Sequence, residues 1–164
     1  MNKLLVFFAG SLLTLQSLAQ DNNGLSYPES IISDGRFLYV SNVGKALNPS
    51  EKDGDGFISK LSLQGQVITP SITTEKLNAP KGSAIIKGVL YVADIDRMIG
   101  IDLSSGKKTV DINLGNNVTF ANDVAVKDDN TLFVSATDAG KIFEVNIKTS
   151  QVKAIADGQW QSGA

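Results

Sequence analysis

The chain has 164 residues, 42% hydrophobic and 20% charged, with a formal net charge of −2, values that suit a soluble globular domain and exclude a disordered or fibrous one. It contains neither cysteine nor histidine, which excludes disulfide staples, thiol catalysis, structural zinc sites and any Ser-His-Asp or Cys-His mechanism within it. Chemistry must rest on carboxylates, amides, hydroxyls, Lys, Arg or Tyr, a bound metal would be a hard oxygen-liking ion, and no basic run offers a nucleic acid a surface.

Met1 to Gln20 has the parts of a secretory signal peptide. Lys3 supplies the positive start, Leu4 to Leu15 is an apolar run broken by Gly10, Ser11 and Thr14, and Ser17-Leu18-Ala19 gives small residues at the recognition positions. The run is well short of the ~20 residues that span a bilayer, so a membrane anchor is disfavoured. Cleavage after Ala19 removes Lys3 and takes the formal charge from −2 to −3. The expectation is a secreted or periplasmic protein, with no membrane attachment after cleavage, a signal peptide over 1–19 and one domain over 20–164.

Three stretches of that domain share one plan: LSYPESIISDGRFLYVSN from Leu25, LNAPKGSAIIKGVLYVAD from Leu77 and TFANDVAVKDDNTLFVSA from Thr119. In each, a short apolar strand (Ser30–Ile32, Ala84–Ile86, Val124–Val126) meets a polar turn. A second strand of form Leu-aromatic-Val-small follows at Leu38, Leu90 and Leu132. Apolar residues at Ile58/Leu61/Leu63, Met98/Ile101/Leu103 and Ile142/Val145/Ile147 predict a third strand, and Val67–Ile72, Lys108–Ile112 and Val152–Ala156 a fourth.

Glu29, Lys81 and Asn122 hold the same place in the copies, giving spacings of 81 − 29 = 52 and 122 − 81 = 41. Four short antiparallel strands per ~40–50 residues is the pattern of a β-propeller blade. The fold class expected is therefore an all-β propeller with about three four-stranded blades, over approximately 28–72, 80–113 and 121–157. A β-sandwich of irregular meanders is the competing architecture. Propellers close with roughly 4–8 blades. The sequence thus reads as part of a longer protein, or as a half-propeller that a second chain completes. IADGQWQSGA stops where a fourth inner strand would begin, which favours the former, and leaves the outer face of the third blade as a bare apolar surface.

Val43 to Gly56 is a long polar insertion between the second and third strands of the first blade, on the face where the central channel opens, and reads as a lid or rim. Its Asp53-Gly-Asp-Gly-Phe-Ile58 imitates part of an EF-hand, but Ser62 stands where the bidentate Glu is required and a strand follows, so a Gly-rich turn is the better reading.

Glu29 and Asn122, just before innermost strands, supply a carboxylate and an amide oxygen of the kind calcium takes. The equally open alternative is a solvated rim residue and, for Asn122 with Asp123, a turn cap. Lys81 reads as a structural or counter-charge residue. Asp94 and Asp96, leaving the second strand toward the same face, are candidate ligand-binding residues with Asp123, although Asp is common in such turns. Asn117-Val-Thr119 matches a glycosylation pattern, relevant only in a eukaryotic secretory pathway.

PESIISDGRFLYVSN, APKGSAIIKGVLYVADID and FANDVAVKDDNTLFVSATDAGKIFEVN resemble the six-bladed propellers of the gluconolactonase/regucalcin-like family and, more loosely, NHL-type propellers. The resemblance implies calcium or another divalent ion at the channel mouth, with Glu29 matching a family Glu and Asn122 an Asn of the metal or substrate set. The family's catalytic Asp would fall in a later blade. It implies a lactone hydrolase for the full-length protein and an inactive fragment. The alternative is a non-enzymatic propeller whose partner is a protein, peptide or glycan.

Overall fold

The computed structural model describes residues 24–158. The signal peptide and its cleavage point lie outside the described residues. Three four-stranded antiparallel sheets make up the described chain, each a meander in sequence order. The first holds β1 (Pro28–Ser33), β2 (Leu38–Asn42), β3 (Phe57–Leu61) and β4 (Val67–Thr69). The second holds β5 (Pro80–Ile86), β6 (Val89–Asp94), β7 (Arg97–Asp102) and β8 (Lys108–Asn113). The third holds β9 (Ala121–Asp128), β10 (Thr131–Ala136), β11 (Lys141–Asn146) and β12 (Gln151–Asp157). No helix among the described residues is long and apolar enough to cross a membrane.

The inner strands lie side by side, β5 packing against β1 on one flank and β9 on the other. The middle sheet is consequently covered on both faces. Strand alternation sends Leu90 and Val92 of β6, with Ile99 and Ile101 of β7, toward Tyr39 and Ile58 of the first blade and Leu77 of the segment that leads into β5. Tyr91, Ala93 and Met98 point the other way, into a core shared with Leu132, Val134, Phe143 and Val145 of the third blade. That is why the Leu-aromatic-Val-small strand is apolar at successive positions: both sides of a central blade are interior.

Short polar side chains build the turns. Asp34 Oδ1 accepts from the backbone N–H of Arg36 (2.8 Å) and Phe37 (2.7 Å). Asn146 Oδ1 accepts from Lys148 and Thr149 at 3.0 Å. Asp102 takes the hydroxyls of Ser104 and Ser105 and both of their N–H groups, which draws its carboxyl down to about 2.

Two expectations change. Leu63, placed by apolar spacing in the third strand, lies beyond β3 and is exposed; Leu61 and Ile58 face opposite sides of the sheet. The outward face of the third blade is mixed, not bare apolar. Ile142 and the half-buried Phe133 share it with Lys127 and Glu144, which pair at 2.8 Å, and Lys127 also lies over the Phe133 ring.

Candidate functional site at the channel mouth

The starts of β1, β5 and β9, the turn between β6 and β7 and the long loop after β2 all come to one end of the blades. Strand direction alone dictates this, because in an antiparallel meander the start of the first strand and the end of the second share an edge. Glu29, Lys81 and Asn122 therefore stand on three neighbouring inner strands, with β5 in the middle.

Gly82 sets how closely β5 meets β9. A Cβ there would lie 2.1 Å from Asp123 Oδ1 and 2.6 Å from the Asp123 Cα, a distance no side chain tolerates. Asp123 is exposed; its Oδ1 accepts from the Val124 N–H at 2.9 Å, and its own N–H donates to Ser135 Oγ. Asn122, beside it, is half-buried. Glu29 lies on the rim. Burial of its carboxyl end pushes the pKa up, the Lys81 charge pulls it down and the Asp123 charge pushes it up again. Those influences put Glu29 within electrostatic reach of Lys81 and of Asp123.

Lys81 is the centre of the group and is 1% exposed. Its Nζ donates to the Pro49 carbonyl of the long loop (2.7 Å) and the Ala79 carbonyl (3.1 Å), and lies 4.4 Å from the centre of the Phe120 ring. Desolvation lowers its pKa, while the Glu29 and Asp94 charges raise it. No carboxylate of the described residues forms an ion pair with it.

Asp94, read from the sequence as a ligand-binding candidate, is fully buried and its carboxylate is taken up by groups of the fold. Its Oδ1 accepts from the N–H groups of Asn78 and Ala79, both at 2.9 Å, and its Oδ2 from Arg97 Nε and a terminal Arg97 nitrogen at 3.1 and 2.9 Å. The entry to β5 is thereby clamped to the β6–β7 hairpin. Asp96, another candidate ligand residue, pairs instead with Lys52 of the long loop at 2.5 Å. Between them Ile95 holds φ 59°, a strained value for a β-branched residue, and is buried against Val43 and Ala79 while its carbonyl accepts from the Ala121 N–H.

The loop 43–56 is held at its root, middle and exit. Gly44 sits at φ 145° where a Cβ would collide with the Asp55 carboxylate, and Asp55 Oδ2 accepts from the Lys45 N–H. Lys81 holds Pro49, Asp96 holds Lys52, and the Gly56 N–H donates to the Leu77 carbonyl. Asp53 Oδ1 accepts from the Asp55 N–H, the turn role expected of that motif. At the outer bend Leu47 is 63% exposed.

A divalent ion fits this donor set poorly. No group of three or more carboxylates positioned to hold a metal occurs among the described residues. Glu29 and Asn122 supply few of the 6–8 oxygens calcium takes. The positive charge of Lys81, within electrostatic reach of Glu29, would also repel a cation held there. Pro49, Phe120, Lys52 and Ile95 were not visible as site residues in the sequence. The surplus length of the loop and a lone Lys in the apolar APKGS stretch were the only signals.

No protein-family model matches the chain, and no curated protein matches it by sequence. Among solved structures it is similar to a chain of the nidogen/laminin complex (TM-score 0.60, 16% identity, 81% of this chain and 47% of that one). It is also similar to BamB from Moraxella catarrhalis (0.52, 17% identity, 84% and 39%) and glutaminyl cyclase from Myxococcus xanthus (0.51, 16% identity, 76% and 50%). The chain spans half or less of the length of these neighbours. With its three four-stranded meanders, it is a set of β-propeller blades.

Proposed function

We propose that the protein is an exported propeller module that binds a protein or peptide partner on its channel-mouth face. The observation that carries this reading is the loop 43–56: fixed at several points, it presents an exposed Leu47 in a rim of mixed charge formed by Lys45, Glu51, Lys52 and Asp53. An apolar anchor inside a polar rim, already ordered, suits protein recognition because little entropy is lost on docking. The nidogen/laminin neighbour is by its description in a protein–protein complex, which agrees with this use of the fold. Export rests on the leader-like Met1–Ala19.

The test is a peptide-display selection and a glycan array probed with the intact protein. Peptide binders should weaken by about tenfold or more with Leu47→Asp, the loss expected of an anchor residue, and be unaffected by Lys87→Glu at the opposite end of the blades. Binders indifferent to Leu47, or glycan binding alone, would count against the reading. The competing reading, a divalent-metal-dependent lactone hydrolase, is favoured by the raised Glu29 carboxyl. Calcium-dependent acid release from a sugar lactone by the intact protein would support that reading and displace ours.

A further inference from the structure

We propose that the cleft between the first and second blades, at the end opposite the channel mouth, binds a small organic anion: a compact apolar body carrying a carboxylate or a phosphate monoester. This goes beyond the partner-binding reading and does not depend on it.

The cleft opens where the β1–β2 turn, the β5–β6 turn and the end of β7 come together, and its volume is about 780 Å³. Small-molecule sites ordinarily enclose about 300–1,000 Å³. Phe37, Ile85 and Leu103, all half-buried, give the cleft an apolar side that packs against the core between the two blades. Arg36, Lys60 and Lys87 bring positive charge to the same lining. An apolar surface bordered by cations is the complement of an amphipathic anion.

The two acids of the lining are engaged in the turns. Asp34 Oδ1 accepts from two backbone N–H groups, and its Oδ2 accepts from the Tyr39 hydroxyl at 3.0 Å. Burial and the Asp34 carboxylate push the Tyr39 phenol up to about 12, so it stays a donor. Asp102 Oδ1 holds the hydroxyls and N–H groups of Ser104 and Ser105.

Arg36 and Lys60, by contrast, form no ion pair with a carboxylate among the described residues. Both lie over the Phe37 ring, Lys60 Nζ at 3.7 Å and Arg36 Cζ at 5.6 Å from its centre. A π face attracts a cation without using up its N–H donors, which stay available to an anion. Two like charges drawn to one ring repel each other, and an anion bound to both removes that repulsion. Lys87 pairs with Asp129 at 2.6 Å, but both side chains are exposed, and such a pair exchanges readily for a ligand. The cleft is also formed in advance: the Leu103 N–H donates to the Gly88 carbonyl at 2.9 Å, fixing the end of β7 to the β5–β6 turn.

The experiment is an amide-correlation NMR titration of the intact protein with phenylacetate and with phenyl phosphate. Acetate, phenethyl alcohol and phenethylamine are run beside them. At least one of the two aromatic anions should give saturable shifts at Arg36, Phe37, Lys60, Gly88 and Leu103, with a Kd at or below about 1 mM. The tighter of the two tells carboxylate from phosphate. Phenethyl alcohol should bind about tenfold more weakly or worse. Arg36→Gln and Lys60→Gln should each weaken the anion by about threefold or more, and Leu47→Asp should leave it unchanged. Three results would overturn the proposal: no saturable shift with either aromatic anion, shifts centred elsewhere, or the alcohol or amine binding as well as the anions. Acetate binding as tightly as phenylacetate would also overturn it, showing an adventitious ion only. If a variant fails to fold, the comparison of anion with alcohol on the wild type decides. Peptide binding through Leu47 is measured separately, so either idea can fail alone.

Discussion

Glu29 and Asp94 are both acids at one end of the blades, yet their surroundings give them opposite duties. Asp94 is enclosed and satisfied by four donor groups, so removing it strands two backbone N–H groups and leaves Arg97 only its bonds to Asp111 and the Lys76 carbonyl. Asp94→Ala should cost about 1–3 kcal/mol, the usual penalty for leaving buried donors unsatisfied, read as a lower urea midpoint. Glu29 has a raised pKa, so the fold favours its neutral form. The cost of its charge is absent below the unfolded value of 4.5 and grows as pH rises through the higher folded value. Glu29→Gln should therefore be more stable than the wild type at about pH 7, with the difference disappearing near about pH 4; a constant difference would contradict this. Gly82→Ala forces apart two inner strands and should destabilise by about 1–3 kcal/mol, as overpacking does.

The loop 43–56 was visible as an insertion, but not its attachments, because each of them joins residues far apart in the chain: Pro49 to Lys81, Lys52 to Asp96, Gly56 to Leu77. Sequence spacing reports local periodicity, whereas a latch of this kind exists only after the blades are stacked. The strands themselves were legible for the opposite reason. Tyr39, Tyr91 and Phe133 recur in matching second strands because alternation and polar turns are local, although the N–H partners that Asp34 and Asp128 take within those turns were not visible. The Lys52–Asp96 pair is partly exposed at Lys52, and Lys52→Met should lower global stability by no more than about 1 kcal/mol. Hydrogen exchange in 43–56 should nonetheless quicken, while exchange in β6 stays unchanged. Equal protection of the loop in both proteins would show that the pair does not hold it.

At the scale of the molecule, the central blade carries the core. Leu90 faces one neighbour and Leu132 closes the other interface, both fully buried. Leu90→Ala or Leu132→Ala should each cost about 2–5 kcal/mol, while Ile142→Ala, 42% exposed on the outward face of the third blade, should change the urea midpoint little. The architecture was readable because three copies of one plan leave few alternatives. The chemistry at the mouth was less readable, since Glu29, Lys81 and Asn122 align in sequence without revealing that the middle member is buried, with its ammonium held by the Pro49 and Ala79 carbonyls.

That arrangement is most directly tested by a crystal structure of the intact protein grown with about 10 mM calcium chloride, well above the weak end of natural calcium sites. Lys81 Nζ should lie within hydrogen-bond distance of the Pro49 and Ala79 carbonyls, over Phe120, with no ion bound by Glu29 and Asn122. A calcium ion bound by Glu29 and Asn122, with Lys81 turned out of the mouth, would contradict it.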